Sequence, residues 1–86
     1  MTATLTLYSR SGCHLCEAMQ QELAARCAER DVQVEVVDVD SSPELAQRYG
    51  LRVPVLAGVD GELCYGRLDD DALEDYLQGW RPHRVE

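Results

Sequence analysis

Two stretches dense in strand-forming residues, 3–8 (ATLTLY) and 32–39 (VQVEVVDV), are separated by a run with helical spacing. This succession restricts the fold more than any other feature of the chain. In the first stretch small polar and apolar residues alternate. In the second β-branched residues dominate, and the alternation slips once, at Val36 and Val37. Between them, after a break over 9–12, Cys16, Met19, Leu23 and Cys27 recur at helical intervals, with Glu17, Gln20, Gln21, Glu22 and Arg26 among them. The spacing predicts a helix from Cys13 to about Arg30 or Asp31. Two strands joined this way in one sheet run parallel with a right-handed crossover.

Downstream, Ser41, Ser42, Pro43 and Glu44 start a second helix, with serine at the cap and proline in the first turn. It carries Leu45, Ala46 and Tyr49 and stops at Gly50, a residue suited to the left-handed turn beyond a helix end. Segments 53–57 and 62–65 flank Asp60-Gly61, a dipeptide that favours the tight turn of an antiparallel hairpin. A last helix over 70–77 shows Leu73, Tyr76, Leu77 and Trp80 on one face, with Asp69, Asp70 and Asp71 at its positive end. The expected fold is α/β, in the order β-α-β-α-β-β-α, with a four-stranded mixed sheet and helices on both faces. One domain spans 1–86, and 81–86, including a solvated His83, reads as a frayed tail.

The 86 residues carry a net charge of -8, spread along the chain, which disfavours a polyanionic partner such as nucleic acid. An apolar share of 45% without phenylalanine implies an aliphatic core. No window approaches the roughly 18 uninterrupted apolar residues of a membrane helix, and the start has no export signal. A soluble cytoplasmic protein is expected. In that setting four cysteines argue against a disulfide-built fold and for a catalytic or metal-bound pair.

That pair is Cys13 and Cys16, in YSRSGCHLCEA. Thiol exchange needs a thiolate to attack a disulfide and a second thiol near enough to resolve the mixed disulfide. Cys13, at the amino end of the helix, meets unpaired N–H groups and the positive end of the dipole, which lower its pKa from the free value of roughly 8.5. It is the candidate nucleophile. Cys16, one turn further in, suits the resolving role. Arg10 and His14 add positive charge nearby while Glu17 opposes it; His14 either tunes the neighbouring sulfur or points into water. Two other readings stand beside this one. The pair is half of a zinc site, completed from Cys27, Cys64, His14 or His83 although no second ligand pair has short spacing, or it is an inert remnant. Cys27 and Cys64 read as packing residues.

Cys-x-x-Cys after a first strand, Val53-Pro54 opening a later one, an Asp-Gly hairpin and an acidic start to the last helix together resemble the thioredoxin fold in its short glutaredoxin-like form, over residues 4–77. The resemblance implies a thiol–disulfide oxidoreductase with Cys13 attacking and Cys16 resolving. It implies a cis Pro54 beside the cysteines, with the Val53 backbone turned outward to pair with a bound thiol peptide. It also implies glutathione as reductant, held by Arg10, by Val53 and Pro54, and by the segment from Gly66 to Asp69 and Asp70. There Arg67 replaces a second glycine and either obstructs the tripeptide or holds its carboxylate. His14-Leu15 replaces the usual proline-aromatic pair, so no redox potential carries over. Arg10, Arg52 and Arg67 are the cations available to form a positive rim. Expected partners are thiol or disulfide substrates, glutathione or a protein disulfide among them, with the chain acting as a monomer and holding no cofactor or metal of its own. The alternatives are a non-catalytic thioredoxin-fold binding module and a metal or iron–sulfur carrier acting through Cys13.

Overall fold

The computed structural model describes residues 3–79; Trp80, His83 and the predicted tail lie outside the described residues. The elements are β1 (Ala3–Ser9), α1 (His14–Cys27), β2 (Val32–Asp38), a 3₁₀ turn (Val39–Ser41), α2 (Pro43–Tyr49), β3 (Val55–Gly58), β4 (Gly61–Tyr65) and α3 (Asp70–Gly79). One sheet has the order β2-β1-β3-β4, with β2 parallel to β1 and both later pairings antiparallel. This is the mixed sheet that the periodicities predict.

Alternation along β1 assigns the two faces. Leu5 and Leu7, with Leu56 of β3, are buried against Met19, Leu23 and Cys27 of α1 and Leu73 of α3. Tyr8 and Val55 turn to the opposite face, where Val39 and Tyr49 are buried and the Tyr8 and Tyr49 rings stack with centroids 4.1 Å apart. Helices therefore cover both faces. The helical stripe at Cys16, Met19, Leu23 and Cys27 is buried throughout.

Several boundaries differ from the sequence expectation, each for a local reason. Helix α1 ends at Cys27 because β2 must begin at Val32 in register with Ala3. The chain reverses within 28–31, where the Arg30 N–H donates to the Cys27 carbonyl (3.1 Å) and the Val32 N–H to the Arg30 carbonyl (2.9 Å). The 3₁₀ turn after β2 was not legible; the Asp38 carboxylate accepts the Asp40 N–H (2.9 Å) and starts it. Gly50 is right-handed (φ -56°), not left-handed as its place at a helix end suggests, and its lack of a β-carbon answers a steric need. In the hairpin Gly58 pairs with Gly61, so Val59 and Asp60 form the loop and Gly61, at φ 139°, opens the next strand. The Asp60-Gly61 turn is thus displaced by one residue. Leu63 is the extra residue of a bulge, since Leu56 pairs with Cys64 and Ala57 with Glu62.

Helix α3 is fastened at several points. The Tyr76 hydroxyl donates to the Thr4 carbonyl (3.0 Å) and accepts the Val59 N–H (3.1 Å), joining α3 to β1 and the hairpin loop. A β-carbon at Gly58 would run into the Tyr76 ring. Tyr76→Phe removes both hydrogen bonds while keeping the ring, and is expected to cost about 1–2 kcal/mol, read by urea unfolding. Arg26 forks onto Asp70 (2.9 and 3.2 Å) and Arg30 reaches Glu74 (2.9 Å), pairing α1 and the turn after it with α3.

Hydrogen bonds from Arg26 hold the Asp70 carboxyl below its ordinary value, and Arg52 does the same for Glu62. A carboxyl depressed on folding stabilises the protein above its unfolded pKa of about 4, and that contribution is lost as pH falls through the folded value. Thermal midpoints should therefore drop as pH is stepped below about 4, and Arg26→Gln should flatten that dependence.

Candidate active site

Strand register gathers the candidate residues at one end of the sheet. Ser9, the last residue of β1, lies opposite Asp38, the last of β2. Tyr8 lies opposite Val55, which opens β3, and Val55 lies opposite Tyr65, which closes β4. The segments beyond those residues share this edge: the 10–13 loop with Cys13, the 3₁₀ turn with Asp40, Val53-Pro54 and the Gly66-Arg67 loop.

Cys13 is the N-cap of α1, extended at φ -97° and ψ 109°, following Gly12 at φ 76°. Its sulfur accepts the Cys16 N–H at 3.1 Å, and its carbonyl accepts the Glu17 N–H at 3.1 Å. A sulfur thus occupies the place of the oxygen that usually caps a helix, at the positive end of the dipole. Cys13 and Cys16 are joined in a disulfide, with α-carbons 5.2 Å apart. Cys13 is half-buried, whereas Cys16 is 2% exposed under the first turn of α1. His14 and Leu15 between them face solvent.

The Val53–Pro54 bond is cis. Pro54 is buried, and its carbonyl accepts the Gly66 N–H at 2.8 Å, which draws the β4–α3 loop against it. Val53 packs beside Val39, Tyr49 and Val55. Arg67 lies exposed on the rim of a groove of about 210 Å³ that Leu15, Met19, Glu22, Gly66 and Leu68 also line. A larger shallow depression of about 910 Å³ beside β4 includes Cys64, Arg67 and Asp69 but neither Cys13 nor Cys16.

Other expected binding residues have partners within the chain. Arg10 forks onto both carboxylate oxygens of Asp40 (3.0 and 3.1 Å) and donates a third hydrogen bond to the Gly50 carbonyl (3.1 Å). The Asp69 carboxylate accepts the Ala72 N–H (3.1 Å) as a cap of α3, and Asp70 pairs with Arg26. Arg52 forks onto Glu62 (2.8 and 2.8 Å) and lies over the Tyr49 and Tyr65 rings, so the rim expected from Arg10, Arg52 and Arg67 is neutralised at two of its three cations. Asp40 and Gly50 were not foreseen beside the site. The short repeat of Asp38 and Asp40 is the only trace of the first in the sequence.

Cys27 and Cys64 are thiols, and burial pushes both pKa values up. Among the described residues no three His, Cys, Asp or Glu side chains converge as metal ligands. Nor is any described helix long and apolar enough to cross a membrane.

The glutaredoxin-like domain model (DUF836) matches residues 4–78. Protein Ne2328 from Nitrosomonas europaea, solved by NMR, is 37% identical, with 88% of this chain and 92% of that one covered and a TM-score of 0.79. The crystal structure of XcR50 from X. campestris gives 34% identity, 90% and 99% coverage and a TM-score of 0.65. Mitochondrial thioredoxin 3 from Saccharomyces cerevisiae, in its oxidized form, gives 25% identity, 91% and 78% coverage and a TM-score of 0.64. No curated protein sequence matches. A capping Cys-x-x-Cys disulfide and a cis proline, on a thioredoxin-like sheet, support a redox-type function in general, and the chain belongs to the glutaredoxin-like domain family.

Proposed function

We propose that the chain is a thiol–disulfide oxidoreductase in which Cys13 attacks and Cys16 resolves. One observation carries the reading: the Cys13 sulfur caps α1 and accepts the Cys16 N–H while bonded to a deeply buried Cys16. In the reduced protein the same N–H and helix dipole favour the Cys13 thiolate over the thiol. That thiolate attacks one sulfur of a substrate disulfide, forms a mixed disulfide and releases the other half as a thiol. Cys16 then loses its proton, attacks the Cys13 sulfur and releases the second half. Two electrons and two protons pass to the substrate, and the Cys13–Cys16 bond closes.

Glutathione is the proposed reductant, two molecules restoring the dithiol and leaving as one disulfide. The resemblance in Val53-Pro54 and the Gly66 loop supports this; Arg67 in the glycine position and the internal partners of Arg10, Asp69 and Asp70 weigh against a tight glutathione site. A cytoplasmic setting is part of the same proposal, supported by Cys27 and Cys64 standing as thiols.

The test mixes reduced protein with a glutathione mixed disulfide. One Cys13–Cys16 disulfide should form for each substrate disulfide cleaved; no exchange above the rate of free cysteine would reject the reading. Regeneration is then driven in parallel by glutathione with its reductase and by thioredoxin reductase, and turnover in the first alone would assign the reductant. Under the same conditions iodoacetamide should modify Cys13 well before Cys27 and Cys64, whose raised pKa values leave little thiolate at neutral pH.

A further inference from the structure

We propose that Arg10 is a positioning residue, a strut that pins the cysteine-bearing loop to the segment leading into Val53-Pro54, and not the receptor of an anionic substrate. The inference rests on the oxidoreductase reading above. Arg10 follows the last residue of β1 and lies three positions before Cys13. Between them stands Gly12 at positive φ, a residue that confers little stiffness of its own. The Arg10 guanidinium crosses to two other segments at once. Nε and one Nη meet the two oxygens of Asp40 in the turn after β2, and the other Nη donates to the Gly50 carbonyl at the end of α2. Gly50 lies three residues before Val53.

The receiving side is built for this contact. The Asp40 N–H is held by the Asp38 carboxylate, which fixes the turn that presents Asp40. A β-carbon at Gly50 would collide with the Ala46 carbonyl and lie 2.9 Å from the Arg10 guanidinium, so glycine there admits the arginine. Planar, two-pronged pairing of guanidinium with carboxylate fixes direction as well as distance, which an ammonium group does not. A substrate carboxylate would first have to displace Asp40, whose place beside Arg10 the fold maintains. The Arg10 and Asp40 side chains are 37% and 52% exposed, so the pair adds little to global stability. Its effect is local. It holds Cys13 where the sulfur meets the Cys16 N–H, so loosening it weakens the stabilisation of the thiolate.

The experiment compares wild type with Arg10→Met, Arg10→Lys, Asp40→Asn and, as a control ion pair between the 28–31 turn and α3, Arg30→Met. Each reduced protein is reacted with the neutral disulfide of 2-mercaptoethanol and with anionic glutathione disulfide, and the pH midpoint of Cys13 alkylation is recorded. Arg10→Met and Asp40→Asn should raise the midpoint together and slow both disulfides by a common factor. With the rates taken at a pH below every midpoint, that factor is about threefold for a one-unit rise, a tenfold loss of thiolate being half offset by its greater nucleophilicity. Arg10→Lys should recover only part, and Arg30→Met should change neither readout. If Arg10→Met slows glutathione disulfide alone while Asp40→Asn speeds it, Arg10 is an anion receptor and the proposal is overturned. Unchanged midpoints and rates in both variants overturn it as well. Wild type that exchanges with neither disulfide defeats the oxidoreductase reading itself, and the strut falls with it.

Discussion

Cys13→Ser is expected to lose disulfide exchange altogether, whereas Cys16→Ser should still attack and then stall as a mixed disulfide on Cys13. The asymmetry follows from position. Cys13 caps α1 and is half-buried, so its sulfur is both activated and open to a partner. Cys16 is 2% exposed and sits inside the helix whose N–H it lends to Cys13. A serine hydroxyl at position 13 keeps the cap but is no thiolate at neutral pH, so the helix survives while the nucleophile is gone. Mass spectrometry of each variant after incubation with glutathione disulfide reads the result: no adduct on Cys13→Ser, and a single stable adduct on Cys16→Ser. Adduct forming on Cys16 in the Cys13→Ser protein at the wild-type rate would reverse the two roles.

Leu23→Ala should be the most damaging single truncation in α1. Leu23 is 1% exposed and packs with Leu5, Leu7, Leu56 and Leu73, tying the cysteine-bearing helix to the two central strands and to α3. Removing a buried leucine to alanine costs about 2–5 kcal/mol, the loss of transfer energy and the cavity together. A domain of this size has about 5–15 kcal/mol in total, so the midpoint should fall by about 10–30 °C. Leu15→Ala, on the same helix but 52% exposed, should change stability by no more than about 0.5 kcal/mol. Thermal unfolding of the oxidised forms separates the two. Equal shifts would mean that the α1 stripe does not carry the core.

The same stripe explains what was legible in advance. Apolar residues at helical spacing in 16–27, alternation in 3–8 and β-branched density in 32–39 report burial directly, and burial organises this sheet, so element order and faces follow. The cap role of Cys13 was likewise readable, because it depends only on a residue type at a strand–helix junction. Details governed by long-range pairing were not. The end of α1 depends on where β2 must meet Ala3, a constraint that is not local; the hairpin loop depends on the register of β3 with β4, which sets Gly58 opposite Gly61. Arg10 shows the limit most clearly. Its type and place before the cysteines suit a substrate anion equally well, and only the approach of Asp40 and Gly50 from 30 and 40 residues away distinguishes a strut. Asp69 and Asp70 present the same ambiguity: the Ala72 N–H donates to the first and Arg26 forks onto the second, and the pairing with Arg26 comes from 44 residues away.

Alkylation of the reduced protein as a function of pH, with the modified cysteine identified by mass spectrometry, tests the central claim most directly. Cys13 should react first and titrate below the free-cysteine value of about 8.5, because its sulfur sits at the amino terminus of α1 within reach of the Cys16 N–H. A Cys13 that titrates at or above that value, or reacts no faster than Cys27 and Cys64, would contradict it.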